Sequence, residues 1–288
     1  METTWIEYWR RIIEMCKELN TYKILNQIKK GIWGILKNNL IGIYIHGSIA
    51  MNCFNPTTSD VDFLVIVKDK LDIDSKKKII KLLLDLSDLT PTNRFDMSIV
   101  LQTTLRKFEY PTPFELHYSE DWKQKYKDGK VNYTKENKDP DLAAHLVITK
   151  ERGMCLVGKP ISEVFFEVPR GYYLKSIIRD SEWSIDNILK CPDTGTCSVP
   201  TYGVLNLCRV FAFIDDGIIT SKSEGGEWGL KNLPQKYHPV IQQSLNKYTC
   251  NGVVKNVEAR ILKQFAVFAK NRLVKIKITA MKNVTKSG

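Results

Sequence analysis

The amino-acid sequence predicts an α/β (α+β) domain over residues 1–162 and an all-α helical bundle over residues 163–288. Three observations lead to this division. Short apolar runs with the two-residue alternation of β-strands occur between residues 40 and 101. One further short strand is predicted at 154–157, and beyond Pro160 the strand patterns largely stop. Helical patterns separated by Pro and Gly then follow one another, which is typical of a small helical bundle.

The predicted elements of the first domain alternate between helix and strand. Two helices are expected over 4–20 and 21–39, and the second has an apolar stripe at four-residue spacing. Residues 106–138 are polar, aromatic and rich in turns, and their lack of periodicity predicts a long loop. The other first-domain helices are predicted from Asp74 to about 89 and from Asp139 to Arg152, and the strands at 41–45, 60–67, 94–101 and 154–157. The helices of the second domain are predicted at 171–190, 201–216, 223–231, 236–248 and 254–280.

Two carboxylates open the second predicted strand. Asp60 and Asp62 alternate with Val61 and Phe63, so both carboxylates face one side while the apolar residues pack on the other. Two neighbouring carboxylates repel each other unless a cation lies between them. Mg²⁺ is the usual cation, because it prefers oxygen ligands and is commonly held by one or two carboxylates plus substrate phosphates.

Three further features accompany this carboxylate pair. Gly47 allows the backbone to approach a ligand closely, and Ser48 with the amides after it forms an anion site at a turn after the first strand. Asp96 lies near the start of the third strand, and strands about 5 Å apart would bring it within reach of Asp60 and Asp62. The two acidic residues of a lone D-x-D are more often just polar residues at the entrance of a strand. The combination of the carboxylate pair with the Gly-Ser turn and Asp96 predicts a nucleotide–metal site.

Composition excludes some classes of protein. No stretch approaches the roughly 18 consecutive apolar residues of a membrane helix, and the N-terminal residues have the pattern of an amphipathic helix rather than of a signal peptide. The seven cysteines are scattered without metal-ligand spacing, with Cys191 and Cys197 as the closest pair. We therefore expect reduced cysteines in a cytoplasmic protein without membrane contact.

The net charge of +11 raises the question of nucleic-acid binding. Most of the excess lies in residues 246–288, which contain ten Lys and Arg residues and a single Glu. The predicted site does not share this excess. We therefore expect a solvated basic face on the last helix, and we do not expect nucleic acid as the partner.

The order strand, Gly-Ser, helix, D-x-D strand and Asp-bearing strand resembles the nucleotidyltransferase superfold of the DNA polymerase β type, which implies a mixed sheet. The resemblance covers residues from about 40 to 280. Asp139–Ala143 and Val157–Pro160 resemble the end of the catalytic domain of the adenylyltransferases that modify spectinomycin and streptomycin. Four later segments resemble the C-terminal helical domain of that family, namely Leu205–Arg209, Gly217–Lys222, Glu227–Leu230 and Leu233-Pro234.

This resemblance implies transfer of AMP from ATP to a hydroxyl of an aminoglycoside-type antibiotic, with release of pyrophosphate. Asp96 stands where the family usually has a Glu that acts as general base. Because Asp is one methylene shorter, either a water mediates proton transfer or Asp96 binds the metal instead. The other implied roles are phosphate contacts for Gly47, Ser48 and Ser59, Mg²⁺ ligation by Asp60 and Asp62 with two ions expected, and nucleotide contacts for Arg209, Lys222 and Tyr248.

The acceptor is expected to meet acidic and aromatic side chains, because such antibiotics are cationic. Glu115 and Trp122 are the candidate substrate contacts, with Glu120 and Asp121 beside them. Streptomycin-modifying members have an acidic residue in the segment just before the Leu205–Arg209 helix, and the corresponding residues 196–202 contain none. This favours spectinomycin, or another small hydroxylated acceptor, over streptomycin. ATP and the antibiotic are then the expected partners of a monomer.

Two alternatives remain open from the sequence. An RNA-directed nucleotidyltransferase would use the basic tail, but the arginine-rich motifs that follow the D-x-D strand in such enzymes are missing here. A non-catalytic antitoxin or nucleotide-sensing protein on the same fold would not need Asp60, Asp62 and Asp96, all of which are present.

Overall fold

The structure is a computed structural model that describes residues 19–55, 59–89, 94–198, 200–249 and 256–284. Most of the helix predicted over 4–20 lies outside these residues. Contacts divide the chain into two compact units, Met1–Tyr173 and Leu174–Gly288. This division falls inside the long helix that begins at Arg170, whereas the predicted boundary lies after residue 162.

A five-stranded sheet in the order β5-β3-β2-β1-β7 forms the centre of the first unit. Strands β2 and β3 are parallel and the other neighbours are antiparallel, so the sheet is mixed as expected. The strands of the first unit are β1 (Leu40–Ile45), β2 (Val61–Val67), β3 (Phe95–Leu101), β4 (Thr112–Phe114), β5 (Leu116–Tyr118), β6 (Asn137–Asp139) and β7 (Met154–Gly158). Strands β4 and β6 form a separate two-stranded pair outside the five-stranded sheet. The helices are α1 (Leu19–Leu36), α2 (Gly47–Ala50), α3 (Ile73–Leu89), α4 (Gln102–Arg106), α5 (Glu120–Lys127), α6 (Leu142–Arg152) and α7 (Ile161–Val164), with a 3-10 turn at Lys37–Asn39.

Both faces of the sheet are covered, which explains the nearly continuous apolar sequence of β2. Phe63 and Met97 belong to a core shared with α1 and α3. Leu64 and Val100 belong to a second core that includes Leu142 of α6. The two carboxylates lie at the start of β2, where Asp62 is its second residue and Asp60 directly precedes it.

The segment 106–138 is more ordered than its sequence predicted. It contains β4, β5 and α5 and leads into β6, and β5 pairs antiparallel with β3 at the edge of the sheet. Strands of three residues are too short to show a period of two. They exist because β3 and β6 supply hydrogen-bond partners that are distant in sequence.

The second unit is helical as predicted, apart from one pair of two-residue strands. Its core is built from large apolar side chains that include Leu205, Phe211, Ile241 and Phe265. None of the helices in the described ranges is long and apolar enough to cross a membrane. The elements are α8 (Arg170–Leu189), β8 (Thr196–Cys197), α9 (Thr201–Asp216), α10 (Lys222–Asn232), a 3-10 turn (Gln235–Tyr237), α11 (His238–Thr249), β9 (Val257–Glu258) and α12 (Ala259–Val284).

Gly158 at the end of β7 provides a test of this packing. Its φ is +112°, and a Cβ atom there would lie 2.2 Å from the carbonyl oxygen of Ile41 in β1. We expect Gly158→Ala to lower the free energy of unfolding by about 2–4 kcal/mol, because backbone strain and overlap add. Gly34→Ala is the matched control, since Gly34 is helical and a Cβ there meets no atom within 4 Å. Equal denaturant midpoints for the two variants would contradict the close approach of β1 and β7.

Candidate active site

The turn after β1 is shaped by the carboxylate of Asp62. His46 precedes the short helix α2, and its backbone N–H donates to the carbonyl of Asp62 at 3.0 Å. Gly47 has a φ of +64°, and a Cβ atom there would lie only 2.0 Å from Oδ2 of Asp62. Only glycine therefore allows the carboxylate of Asp62 to lie against this turn.

The alternation predicted for the start of β2 is present in the structure. Val61 and Phe63 are buried, whereas Asp60 and Asp62 are partly exposed. Asp60 forms an ion pair with Arg94, whose Nε lies 2.8 Å from Oδ1 of Asp60. Both side chains are more than a third exposed, so this pair contributes little to stability. Sequence reasoning missed Arg94, because only the pairing of β2 with β3 brings it beside Asp60.

Asp96 lies directly beside Asp62. The two residues are register partners in the parallel pair formed by β2 and β3. The prediction that the third strand lies next to the carboxylate strand is therefore confirmed. In-register residues on neighbouring strands point to the same face, so the two carboxylates share one edge of the sheet.

Two serines, Ser48 and Ser59, lie in the segment that leads from the turn to Asp60. The Oγ of Ser48 is buried and has no hydrogen-bond partner within the described chain. A buried hydroxyl without a partner is uncommon in proteins, and a bound ligand would satisfy it. The Oγ of Ser59 accepts a hydrogen bond from the backbone N–H of Asn55 at 3.1 Å, while the N–H of Ser59 donates to the carbonyl of Asn55 at 2.7 Å. Ser59 thus closes the loop that leads to Asp60.

Three of the four histidines of the chain lie around these carboxylates, and sequence reasoning missed them. His46 is buried with its ring centroid 5.0 Å from that of His145, and its Nε2 has no hydrogen-bond partner among the described residues. Burial holds the pKa of His46 well below its ordinary value, and His145 lowers that pKa further. His117 shares a hydrogen bond of 2.9 Å between its Nδ1 and the Oγ of Ser98. The position of His46 next to Gly47 was the one signal available in the sequence.

Trp122 lies close to His117, one of these three histidines. Its ring centroid is 5.9 Å from that of His117 and 6.1 Å from that of Tyr126, and it is partly buried. The Nζ of Lys125 lies 4.8 Å from the centroid of the Trp122 ring. Asp121, the residue before it, is exposed and close enough to affect the pKa of His117. The indole therefore packs beside His117 of β5, the strand that pairs with the strand of Asp96.

Glu115 has different contacts from those expected of a substrate residue. Its Oε2 lies 3.3 Å from the Nζ of Lys76 and accepts a hydrogen bond from the backbone N–H of Leu71 at 3.1 Å. Both side chains of the ion pair are 11% exposed. The structure thus gives Glu115 a structural role, in contrast to the expected substrate contact. Its position in a polar segment could not reveal the buried Lys76.

The predicted nucleotide contacts of the second unit lie near the start of α10. The Nε of Arg209 donates to the carbonyl of Thr220 at 2.8 Å. The Nζ of Lys222 lies 4.9 Å from the ring centroid of Tyr202 and 5.8 Å from that of Tyr248. Lys222 and Tyr248 are thereby brought together, while Arg209 supports the segment that leads into Lys222.

An acidic residue missed by sequence reasoning lies beside this cluster. Asp180 of α8 accepts hydrogen bonds on Oδ2 from the hydroxyl of Tyr202 at 2.7 Å and from Nδ2 of Asn206 at 2.8 Å. Residues 196–202 contain no acid, but a carboxylate from another helix lies next to Tyr202. No spacing in the sequence connects residue 180 with residue 202.

The carboxylate donors fit Mg²⁺ in part. Asp60 and Asp62 offer the oxygen ligands that Mg²⁺ prefers. The described residues contain no group of three or more His, Cys, Asp or Glu side chains arranged to hold a metal ion. Two carboxylates alone leave most of an octahedral shell to water and phosphate oxygens, as is usual for Mg²⁺ bound together with a nucleotide.

Comparisons with known proteins agree with this geometry. Residues 30–111 match the family model for the polymerase β nucleotidyltransferase domain, and residues 163–272 match the model for the C-terminal domain of aminoglycoside adenylyltransferase. The spectinomycin 9-adenylyltransferase of Enterococcus faecalis is 29% identical over 235 residues, which cover 80% of this chain and 88% of that protein. The aminoglycoside (3'') (9) adenylyltransferase of Klebsiella pneumoniae is 25% identical over 251 residues, which cover 84% of this chain and 90% of that protein.

A solved structure is also similar. It is the crystal structure of the spectinomycin adenyltransferase AAD(9) from Enterococcus faecalis with ATP and spectinomycin. The TM-score is 0.72 at 25% sequence identity, and the match covers 88% of this chain and 98% of that one. In this chain the region that matches the polymerase β domain precedes the region that matches the C-terminal domain. The chain is thus similar to the aminoglycoside adenylyltransferases over both of its matched regions.

Proposed function

We propose that the protein transfers AMP from ATP to a hydroxyl of spectinomycin, releases pyrophosphate and so confers resistance to the antibiotic. The observation behind the proposal is the pairing of Asp62 with Asp96 beside the Gly47 turn, in a chain whose relatives are named for this reaction. The absence of an acid in residues 196–202 supports spectinomycin ahead of streptomycin.

The carboxylates divide the chemistry between them. The oxygen of the acceptor hydroxyl attacks the α-phosphorus, an O–P bond forms and the bond to pyrophosphate breaks. We assign Asp60 and Asp62 to Mg²⁺, which supplies neutralisation of phosphate charge when bound. Asp96 lies on the neighbouring strand, and we assign it to the acceptor hydroxyl, whose proton must be removed.

The polar groups around the turn are assigned to the phosphates. The hydroxyl of Ser48 is buried and unsatisfied in the described chain, so it has a donor to offer a phosphate oxygen. Gly47 leaves room for the close approach of such an oxygen, and Ser59 holds the loop before Asp60. Arg209 and Lys222 of the second unit supply positive charge for the leaving pyrophosphate, and Tyr248 contacts the nucleotide.

We also propose a domain boundary after residue 162, a cytoplasmic location and a monomeric state for this protein. The proposed boundary after residue 162 adjoins the first residue of the matched C-terminal model, 163. Cys155, Cys191 and Cys208 form no disulfide, which supports a reducing compartment and the proposed cytoplasmic location. We propose a monomer, which light scattering of the purified protein would check.

The reaction itself is testable by pyrophosphate release and mass spectrometry of the acceptor. With ATP and Mg²⁺ we expect an AMP adduct on spectinomycin, little or none on streptomycin, and no release without an acceptor. Asp60→Asn and Asp62→Asn should each lower kcat by about 10²–10³-fold or more, because the phosphate charge is no longer balanced. Asp85→Asn is the control, since Asp85 is an exposed partner of Lys81 on α3. Undiminished turnover by both site variants would contradict the assignment.

The Gly47 turn gives a second test. Gly47→Ala introduces a Cβ where Oδ2 of Asp62 now lies, so the carboxylate or the turn must move. We expect kcat to fall by about 10²-fold, the cost typical of a misplacement of about 1 Å. Gly34→Ala should leave kcat unchanged, as a Cβ there meets no atom within 4 Å. Both variants are measured well below their melting temperatures, and a normal kcat for Gly47→Ala would contradict the proposed contact.

A further inference from the structure

We propose that His117 accepts the proton of the acceptor hydroxyl during adenylyl transfer, with Ser98 orienting its ring and the negative charge of Asp96 stabilising the charge it gains. The inference rests on the proposed function and deepens it, because it names the group that removes the proton. His117 is not part of the D-x-D or Gly-Ser motifs. The structure alone places it beside the carboxylates.

The sheet fixes the position of His117 relative to Asp96. Ser98 and His117 are register partners in the antiparallel pair of β3 and β5. Asp96 precedes Ser98 by two residues on β3, so Asp96, Ser98 and His117 all face the same side of the sheet. Diagonal neighbours of this kind have Cα atoms about 7–8 Å apart, within reach of long side chains.

One ring nitrogen of His117 is already held. The Oγ of Ser98 lies 2.9 Å from Nδ1 of His117, and Ser98 is buried with 1% of its surface exposed. The proposal requires the tautomer in which Nδ1–H donates to Ser98, because Nε2 then keeps its lone pair. Ser98 would thus play the part that a carboxylate or carbonyl plays behind many catalytic histidines.

The charges around His117 suit a proton acceptor. Burial lowers its pKa below the ordinary value, so the ring is neutral near neutral pH. Negative charge on Asp96 of β3, Asp139 of β6 and Asp121 of α5 raises the pKa and opposes that effect, while His145 of α6 lowers it. The same carboxylates that oppose the burial effect would stabilise the imidazolium formed when His117 takes up a proton.

The acceptor O–H bond breaks and its proton moves to Nε2 of His117. The oxygen forms a bond to the α-phosphorus, and pyrophosphate leaves with the electron pair of the broken P–O bond. A proton acceptor at His117 would also compensate for the short side chain of Asp96. A carboxylate that lacks one methylene need not reach the hydroxyl if it acts through a neighbouring imidazole.

The first experiment compares pH profiles of kcat with ATP and spectinomycin. His117→Asn keeps a donor near the position of Nδ1 for Ser98 and removes Nε2. We expect this variant to lower kcat by about 10²–10³-fold, the range of general base catalysis, and to change the KM for ATP by less than about threefold. The wild-type fall in rate on the acid side should disappear. His238→Asn is the control, because His238 bonds the carbonyl of Leu233 in the second unit.

Packing variants separate a chemical role from a structural one. The ring of His117 also contacts Phe114 and Trp122, with centroids 5.9 Å away in each case. Trp122→Phe should keep the acid limb of the profile. An equal loss in His117→Asn and Trp122→Phe with the limb retained in both would assign His117 to packing and overturn the proposal. His117→Gln is the second variant if His117→Asn does not fold.

A further readout needs neither metal nor nucleotide. In the protein labelled at histidine, NMR titration should give His117 a pKa below the ordinary value of 6.5. Asp96→Asn should lower it further, because a carboxylate that favours the imidazolium is removed. An unchanged pKa in Asp96→Asn, or wild-type kcat in His117→Asn, would overturn the assignment while leaving adenylyl transfer intact. Absence of AMP transfer by the wild-type protein would instead overturn the proposed function, and this assignment with it.

Discussion

The contact between Gly47 and the carboxylate of Asp62 determines the arrangement of the candidate site. No side chain fits between them, since a Cβ at Gly47 would lie 2.0 Å from Oδ2 of Asp62. The hydrogen bond from His46 to the carbonyl of Asp62 fixes the same two segments through their backbones. Parallel pairing of β2 with β3 then adds Asp96 at the same edge. The acidic edge therefore follows from one close approach and one strand register.

The sequence was sufficient for the parts of the fold with long or strongly patterned elements. The strands β1, β2 and β3 are apolar runs buried on both faces, and the helices of the second unit are long and bounded by Pro or Gly. The three-residue strands β4, β5 and β6 were missed because tertiary partners, not local pattern, stabilise them. His117, His145, Arg94 and Asp180 join their neighbours only through register and helix packing.

Pairing on the last helix bears on the alternative of an RNA-directed enzyme. Lys263 of α12 pairs with Asp193 at 2.5 Å, and Arg272 pairs with Asp215. The guanidinium of Arg272 also lies 4.6 Å from the ring centroid of Phe211. These basic residues already have partners within the second unit, which supports a structural surface helix more than a track for phosphates. A small acceptor also agrees better than RNA with the aromatic side chains around Trp122.

We propose that Asp60 and Asp62 hold a metal ion together with a nucleotide. The most direct measurement is binding of Mn²⁺, a spectroscopic substitute for Mg²⁺, by paramagnetic resonance with and without a non-hydrolysable ATP analogue. Two carboxylates without a third protein ligand predict weak binding of Mn²⁺ alone, strong binding with the analogue, and loss of the strong binding in Asp62→Asn. Strong binding without the nucleotide, or binding unaffected by Asp62→Asn, would contradict the account.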